Sequence, residues 1–346
     1  MSLINLLKKK FFTTLFTTPS HNQKFFILSK FRQFYKYDIS ETDTHNPQEA
    51  LRKAEEKASN IYITKKTHFL TNGSTSGIIA AVLTCTEKND KVLIWKDSHI
   101  CHKNAVKLAG AEPVFYETDY DEIFGISKPI DTMYIENLIN EHKPKAIIIT
   151  SPTYEGIVSD IKKLKEICKK TKTYLIVDEA HGALYPFSNK LPQSAVTIAD
   201  FTIQSLHKTA GGLNPTALLH NNTDLDSSKT LEMINTTSPS YPLLASIEKN
   251  INYLNSSKGR QKINELIENI EELKNKCPNI TFCNNDDITK IVIKSQNLSG
   301  YELSEILYEK FKIEDEKTNE KSTMLITGLG TDKQKLKRLE KALKNL

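Results

Sequence analysis

The stretch IADFTIQSLHKTAGGL, residues 198–213, decides how the chain can be read. Its residues 199–205 are apolar and rich in residues that favour β-structure, which predicts a buried strand. Lys208 follows the strand, and the Thr-Ala-Gly-Gly run after it ends the strand and lets backbone approach a ligand closely. A lysine at the end of a buried strand is costly unless its charge is used or lost, so we expect a reactive lysine here.

A second apolar stretch, TYLIVDEAHGA at residues 173–183, runs directly into Asp178. An acid and a lysine that each end a buried strand of an α/β chain predict a site for pyridoxal 5′-phosphate. The lysine would form a Schiff base with the cofactor's aldehyde, and the carboxylate would hold the proton of the pyridinium nitrogen. Burial would lower the pKa of Lys208, which helps it to attack an aldehyde.

Further motifs follow one another along the chain: YDISETDTHNPQEAL (37–51), TNGSTSG (71–77), CHKNAV (101–106), SPTYEGIVSDI (151–161), DEAHGA (178–183), SLHK (205–208) and TTSPSYPLLAS (236–246). In this order they resemble the Orn/Lys/Arg decarboxylases of the aspartate-aminotransferase fold. The resemblance runs from about residue 20 to about residue 250 and continues faintly to the end of the chain. It implies a PLP-dependent transferase type I fold, and pyridoxal phosphate as the cofactor.

Composition and charge predict an ordinary soluble protein. The 346 residues are 38% hydrophobic and 26% charged, and the net charge of +5 comes from scattered lysines, so we expect no nucleic-acid partner. No stretch approaches about 20 apolar residues, so we expect no membrane span. Five irregularly spaced cysteines predict reduced thiols and a cytoplasmic location.

Two other interpretations of the motifs fail because each needs a second motif that the sequence lacks. His99-Ile100-Cys101-His102 lacks a second ligand cluster, so we expect no metal. VDEAH could belong to a helicase, but that activity needs a phosphate loop of the form GxxxxGK[ST], which the sequence lacks.

Short continuous apolar runs alternate with helical stretches between residues 91 and 222. This pattern predicts a mostly parallel central sheet with helices on both faces, whose ligands lie at the carboxyl ends of the strands. We predict an N-terminal arm at 1–45, a large cofactor-binding domain at 46–250, and a linking helix with a small C-terminal α/β domain at 251–346. The linking helix is part of a helical stretch predicted over 245–276. A helix starting near the cap residue Asn46 is also expected.

The resemblance assigns four catalytic residues. Lys208 binds the aldehyde, Asp178 pairs with the pyridinium nitrogen, His102 stacks on the ring, and His181 lies beside the ring oxygen or the substrate. Without the resemblance, His102 would be an ordinary core histidine. His99 lies close enough in sequence to compete with it, and the helix after the Cys-His-Lys motif is short for the family.

A turn that leads into a helix predicts the phosphate cradle. Gly73 permits close approach, Ser74 and Thr75 lie at the helix N-terminus, and Ser205 and His207 would add donors beside the lysine. Taken alone, Ser74 and Thr75 suit simple helix caps equally well.

The resemblance adds residues at the edge of the site. Ser151 and Thr153 would line it, and Glu316 sits faintly where the family has a glutamate of the small domain. In the family, the segment matching Thr236 and Thr237 reaches across a dimer interface, which implies a homodimer with composite active sites. The same two threonines would otherwise belong to an ordinary Pro-bounded loop.

The expected reaction is decarboxylation of a basic amino acid, lysine, ornithine or arginine, to the corresponding polyamine-type amine. The chain departs from the family at Glu155, where Tyr-Tyr-Gly is usual, and at Leu184, where a histidine is usual. It also stops without the family's C-terminal extension. These departures keep two alternatives open: another PLP-dependent reaction (an aminotransferase or lyase), and a non-catalytic PLP-binding or regulatory protein.

Overall fold

The structure, a computed structural model, describes residues 2–10, 36–39 and 47–346. Most of the predicted arm and the predicted cap residue Asn46 lie outside these ranges. Within them, helix α1 (Leu3–Lys10) buries Leu3 and Leu7, and the Leu3 N–H donates to Glu248 at 2.9 Å. The start of the chain therefore packs on its own molecule. Helix α2 (Pro47–Tyr62) follows.

A central sheet is formed by strands β1 (Lys66–Leu70), β2 (Lys91–Trp95), β3 (Glu112–Tyr116), β6 (Ala146–Thr150), β7 (Tyr174–Asp178), β8 (Phe201–Ser205) and β9 (Ala217–Asn221). Their order is β1-β9-β8-β7-β6-β2-β3. The five neighbours from β8 to β3 run parallel, and β9 runs antiparallel to both β8 and β1. Strands β4 (Tyr120–Asp121) and β5 (Ile126–Ser127) pair in a separate hairpin.

Helices cover the sheet on both faces: α3 (Gly73–Cys85), α4 (Ile100–Leu108), α5 (Thr132–His142), α6 (Ile161–Thr171) and, after the one-turn α7 (Leu206–Thr209), α8 (Ser227–Ile234). Ile94 and Ile148 pack on the side of α3 and α4, whereas Leu93 and Ile147 pack on the side of α5 and α6. Apolar residues on both faces explain the continuous apolar runs and confirm the predicted α/β fold class. Among the helices that the structure describes, none combines the length and apolarity that crossing a bilayer requires.

The predicted long helix over 245–276 is wrong in one respect, because the structure divides it into α9 (Tyr241–Leu254) and α10 (Ser257–Lys276). Ser256 caps α10 by accepting from the Gly259 N–H at 3.1 Å. A Cβ on Gly259 would lie 2.0 Å from the Tyr253 carbonyl oxygen, so the two helices meet closely at a glycine. Helical periodicity continues through both helices, which is why the sequence pattern missed the break.

A second sheet lies in the C-terminal part, formed by β10 (Thr281–Phe282), β11 (Lys290–Lys294), β12 (Lys317–Thr318) and β13 (Thr323–Ile326). Its order is β10-β11-β13-β12, and all its pairs are antiparallel. Helices α10, α11 (Gly300–Phe311) and α12 (Lys333–Leu343) pack on it through a core that includes Leu266, Leu303 and Leu339. The exact domain limits at 45/46 and 250/251 stay a prediction.

Candidate active site

A cavity of about 420 Å³ opens at the carboxyl ends of the central strands. Thr150 and Asp178 are paired in register at the ends of β6 and β7. Strand β8 ends at Ser205 and is followed directly by α7, which contains Lys208. Thr150, Asp178 and Lys208 all line the cavity. The parallel sheet therefore brings together side chains that lie far apart in sequence, at the edge where such sheets bind ligands.

Lys208 lies in the one-turn helix α7, directly after the strand at whose end we expected it. Its Nζ lies 3.1 Å from His181 Nε2 and 5.5 Å from the centre of the Tyr154 ring. Burial lowers the pKa of Lys208, and the nearby charge of Asp178 opposes this shift. The result is an amine that loses its proton more readily than an ordinary lysine.

Asp178 is buried at the base of the cavity, where its two carboxylate oxygens accept different hydrogen bonds. Oδ2 accepts from His102 Nε2 at 2.9 Å, and Oδ1 accepts from the Ala180 N–H at 3.1 Å. Burial by itself would raise the pKa of Asp178, but the hydrogen bond and charge of His102, together with Lys208, bring it below its usual value. The carboxylate is therefore held ionised and oriented.

The two histidines near α4 lie differently from our expectation. His99 caps the helix by accepting from the Cys101 N–H at 3.2 Å, and both His99 and Cys101 line the cavity. His102 is fully buried behind Asp178 and does not line it. The geometry thus favours His99 for the ring-stacking role that the resemblance gave to His102. The available signal was that His99 lies only three positions before His102 in the sequence.

The predicted phosphate cradle lies together at one end of the cavity. Gly73 adopts φ +72°, a conformation that favours glycine, and Ser74 and Thr75 follow in the first turn of α3. Asn72, at the cap position, makes no side-chain capping bond, which leaves the N–H groups of this turn available to a ligand, and Asn72 to Thr75 all line the cavity. His207 lines the same cavity and donates from Nδ1 to the Thr216 carbonyl oxygen at 3.1 Å, which leaves Nε2 for a ligand.

Two predicted wall residues serve the adjoining loop instead. Ser151 Oγ accepts from the Ser159 N–H at 3.2 Å, and Thr153 Oγ1 accepts from the Ile157 N–H at 3.3 Å. Neither lines the cavity, whereas Thr150 does. Successive side chains of a strand point to opposite faces of the sheet, so Thr150 reaches the cavity and its neighbour Ser151 does not.

Of the other predicted residues, His181 lines the cavity, whereas Ser205 and Thr236 do not. Ser205 is fully buried at the junction of β8 and α7, so the predicted contact of its hydroxyl with the phosphate stays a prediction. His181 is buried, and its ring centre lies 4.6 Å from that of Tyr154. Thr236 is exposed in the loop before α9 and outside this chain's own cavity, as is Thr237.

Sequence reasoning missed a charged group that the second sheet contributes to the cavity wall, Lys317. Lys317 Nζ lies 5.1 Å from the centre of the Tyr154 ring and donates to Glu155 Oε1 at 2.6 Å. Glu155 is buried and lines the cavity, although the sequence marked it only as a departure from the family. The faint match at Glu316 pointed to the neighbour of Lys317, and it was the one sequence signal available.

Comparison with known proteins decides the family and the fold. The chain matches the model of the Orn/Lys/Arg decarboxylase major domain over residues 14–297. The chain belongs to this family. An Orn/Lys/Arg decarboxylase domain thus accounts for most of the sequence, and the resemblance carried by its motifs is confirmed.

Curated relatives of this Orn/Lys/Arg decarboxylase family member include an arginine decarboxylase of Halalkalibacterium halodurans, 29% identical over 88% of this chain. The uncharacterized protein YaaO of Bacillus subtilis is 31% identical over 83% of this chain. The chain spans 66% and 63% of these two proteins, which is less than two thirds of their length.

Solved structures of similar fold include the lysine decarboxylase LdcF of Francisella novicida, with a TM-score of 0.87 at 20% identity over 99% of this chain and 59% of that one. The ureidoglycine–glyoxylate aminotransferase of Bacillus subtilis has a TM-score of 0.69 at 12% identity, over 89% of this chain and 86% of its own. These likenesses confirm the PLP-dependent transferase type I fold.

The cofactor implied by this family and fold is pyridoxal 5′-phosphate, and the cavity residues fit it. Within the described ranges, the buried hydroxyl of Thr150 and the buried Nδ1 of His181 have no hydrogen-bond partner, and both residues line the cavity, which marks a polar surface suited to a ligand. The N-terminus of α3 suits a phosphate. A buried carboxylate at Asp178 and an amine of lowered pKa at Lys208 suit a pyridinium ring and an aldehyde.

Proposed function

We propose that this protein decarboxylates a basic amino acid (lysine, ornithine or arginine) to the corresponding amine and carbon dioxide. The observation that carries the proposal is the pairing, in one cavity, of an ionised buried carboxylate at Asp178 with an amine of lowered pKa at Lys208. Relatives named arginine decarboxylases and a structural neighbour named lysine decarboxylase support the substrate class. The carboxylate of Asp97, which also lines the cavity, suits a cationic side chain.

Each residue then has a defined task. When bound, pyridoxal phosphate supplies an electron sink for the bond that breaks at Cα. Asp178, oriented by His102, holds the proton of the ring nitrogen, and the N-terminus of α3 with Ser74, Thr75 and His207 holds the phosphate. His99 would pack on the face of the ring.

Lys208 and His181 are placed to move protons. Their nitrogens lie 3.1 Å apart, and a neutral His181 can accept the proton that the Lys208 ammonium loses when its nitrogen becomes a nucleophile. Lys208 is also the nearest candidate to return a proton to Cα after carbon dioxide has left. This second role is a proposal for Lys208 in preference to His102, because His102 lies behind Asp178.

The reaction is tested with the purified holoprotein and a panel of amino acids. We expect carbon dioxide release from lysine, ornithine or arginine, and loss of about 10²-fold or more in kcat for Asp178→Asn with the cofactor still bound. Formation of keto acids instead would indicate a transaminase. Cofactor binding without turnover of any substrate would indicate the non-catalytic alternative.

We also propose that the protein works as a homodimer in a cytoplasmic, reducing compartment. All five cysteines lie within the described ranges, and they are buried and unpaired, which supports a reducing environment. The exposed loop with Thr236 and Thr237 supports a contact between subunits, because it lies outside this chain's own cavity although the family's matching segment serves a site.

A further inference from the structure

A buried ion pair in the C-terminal part reaches the active site. Lys290 in β11 and Asp287 just before it are both fully buried, and Lys290 Nζ donates to Asp287 Oδ2 at 2.8 Å. The same Nζ lies 3.0 Å from Thr289 Oγ1 and 3.4 Å from the carbonyl oxygen of His181. All three protons of the ammonium are therefore directed at acceptors, and one acceptor is the backbone of an active-site residue.

Asp287 is fixed in turn by a set of short contacts. Its Oδ2 also accepts from Tyr185 OH at 2.9 Å, and its Oδ1 accepts from Thr289 Oγ1 at 2.6 Å. Its N–H donates to the Gly156 carbonyl oxygen at 3.0 Å. A Cβ on Gly156 would lie 3.0 Å from both Asp287 and Lys290, so the loop after β6 closes tightly over the pair.

Buried ion pairs are weak stabilisers, because the cost of removing two charges from water offsets most of their attraction. An apolar pair of similar size would fill this space at least as well. What Lys290 adds that an apolar residue cannot is a fixed positive charge and a donor at the His181 backbone.

We propose that Lys290 is a positioning residue of the active site, which holds His181 in its place beside Lys208. The proposal rests on the proposed function for the task of Lys208, but the contact between Lys290 and His181 does not depend on which reaction the protein performs. Lys290 of the second sheet thereby fixes the position of His181, which follows strand β7 of the first sheet and lines the cavity.

The titratable groups that face His181 come from several elements. They are Tyr154, whose ring centre lies 4.6 Å from that of the imidazole, Lys208 and His207 in α7, Lys290 in β11 and Lys317 in β12. Burial is the largest cause that lowers the pKa of His181 well below its usual value, followed by Lys208, Lys290, His207 and Lys317. Lys317 is half exposed and paired with Glu155, and Lys208 is the group that reacts, so Lys290 is the cation of this set whose place does not change.

A neutral His181 is what the proton transfer requires. Its Nε2 can accept from Lys208 only while it carries no proton, and the fixed charge of Lys290 opposes that proton. Loss of Lys290 would both free the His181 backbone and let the imidazole become charged at a higher pH. Lys208 would then face a cation instead of an acceptor.

The test uses the cofactor-free protein with ¹⁵N-labelled histidine, and His181→Gln identifies the His181 signals. In the wild type we expect the imidazole to stay neutral over the range in which an ordinary histidine, of pKa about 6.5, titrates. In Lys290→Met the titration of His181 should move to higher pH, because one opposing charge is gone while burial still acts on the imidazole. In Asp287→Asn with Lys290→Gln, which removes both charges, the shift should have the same direction and be smaller.

Tyr185→Phe is the matched control, because it removes a hydrogen bond from Asp287 but leaves Lys290 and His181 unchanged, so its titration should match the wild type. If Lys290→Met does not fold, the doubly neutral variant carries the test. An unchanged His181 titration in the folded variants, or an equal shift in Tyr185→Phe, would overturn the proposal. In the holoenzyme, the acid limb of the pH profile of kcat should move to higher pH, more in Lys290→Met than in the doubly neutral variant.

A protein without decarboxylase activity would still show the titration of His181. Failure of the proposed function can therefore be distinguished from failure of this proposal.

Discussion

At the scale of single residues, the site depends on how burial and neighbouring charge change the protonation of a few groups. Asp178 stays ionised because His102 donates to it, and Lys208 loses its proton readily because it is buried. His181 is kept neutral by burial and by cations on several sides. Each of these states follows from contacts between elements that are distant in sequence.

Lys208→Ala should abolish covalent attachment of the cofactor while the fold survives, since the only hydrogen bond that the described residues offer its Nζ is with His181. Borohydride reduction followed by peptide mapping should label the peptide that contains Lys208 in the wild type and no peptide in the variant. Turnover should fall by about 10²–10⁴-fold or more. Lys317→Ala is the control and should keep the label. A label on any other peptide in the wild type would show that the assignment is wrong.

Glu179 predicts a pH dependence of stability. It is fully buried and accepts from Ser194 Oγ at 2.7 Å and from Gln204 Nε2 at 2.8 Å, and burial raises its pKa from 4.5 to about 7. The folded state thus binds a proton that the unfolded state has already lost above pH 4.5. Its contribution is complete below that pH and is lost as the pH rises toward about 7, with a slope of up to about 1.4 kcal/mol per pH unit.

Urea unfolding of Glu179→Gln across this range should therefore show a flatter dependence of the unfolding free energy on pH than the wild type. Glu268→Gln, at an exposed glutamate, is the matched control and should leave the slope unchanged. Identical slopes in Glu179→Gln and the wild type would contradict the assignment of the titration to Glu179.

At the scale of elements, the junction of α9 and α10 controls how the chain passes from the first sheet to the second. Ile263 and Ile267 on α10 belong to the core shared with α9, whereas Leu266 and Ile270 belong to the core of the second sheet. The angle between the two helices therefore decides how both cores fill.

Substitutions at this junction should destabilise the protein in a defined order. Gly259→Ala should lower the free energy of unfolding by about 3 kcal/mol, because its Cβ would meet the Tyr253 carbonyl oxygen. Ser256→Ala should cost about 1 kcal/mol through loss of the cap. Lys258→Ala, at an exposed neighbour, should change stability by less than about 0.5 kcal/mol in the same urea titrations. Equal effects of the three changes would mean that the junction is not closely packed.

At the scale of the whole molecule, we predict that two copies complete each other's sites through the loop that carries Thr236 and Thr237. The change is a mixture of two inactive parents, Lys208→Ala and the double variant Thr236→Ala with Thr237→Ala. A mixed dimer has one site with both lesions and one with neither, so random exchange should restore activity toward about a quarter of wild type.

Subunit exchange must be confirmed independently, by mixing differently tagged parents and isolating the mixed species. Sedimentation of the wild type should show a dimer. No recovery after confirmed exchange, or a fully active monomer, would rule out composite sites. Cofactor binding should also raise the thermal stability of the dimer, because the assembled site binds it most completely.

The sequence by itself determined the α/β fold class, the order of the central strands along the chain and the placement of Asp178 and Lys208 at strand ends. These features are local: continuous apolar runs, and the glycines that end them, report strands buried on both faces. The turn at Gly73 was readable for the same reason, since a Gly-Ser-Thr turn that leads into an apolar helix predicts a helix N-terminus, and such a terminus can bind an anion.

Only the tertiary structure decided which side chain of each motif faces the cavity. His99 rather than His102, and Thr150 rather than Ser151, reach it because helix phase and strand register turn neighbouring residues to opposite sides. The second sheet packs against the first and brings Lys317 to Glu155 and Lys290 to the backbone of His181. Both contacts join residues more than a hundred positions apart. A pattern in one segment carries no information about such contacts, since they depend on how whole elements pack.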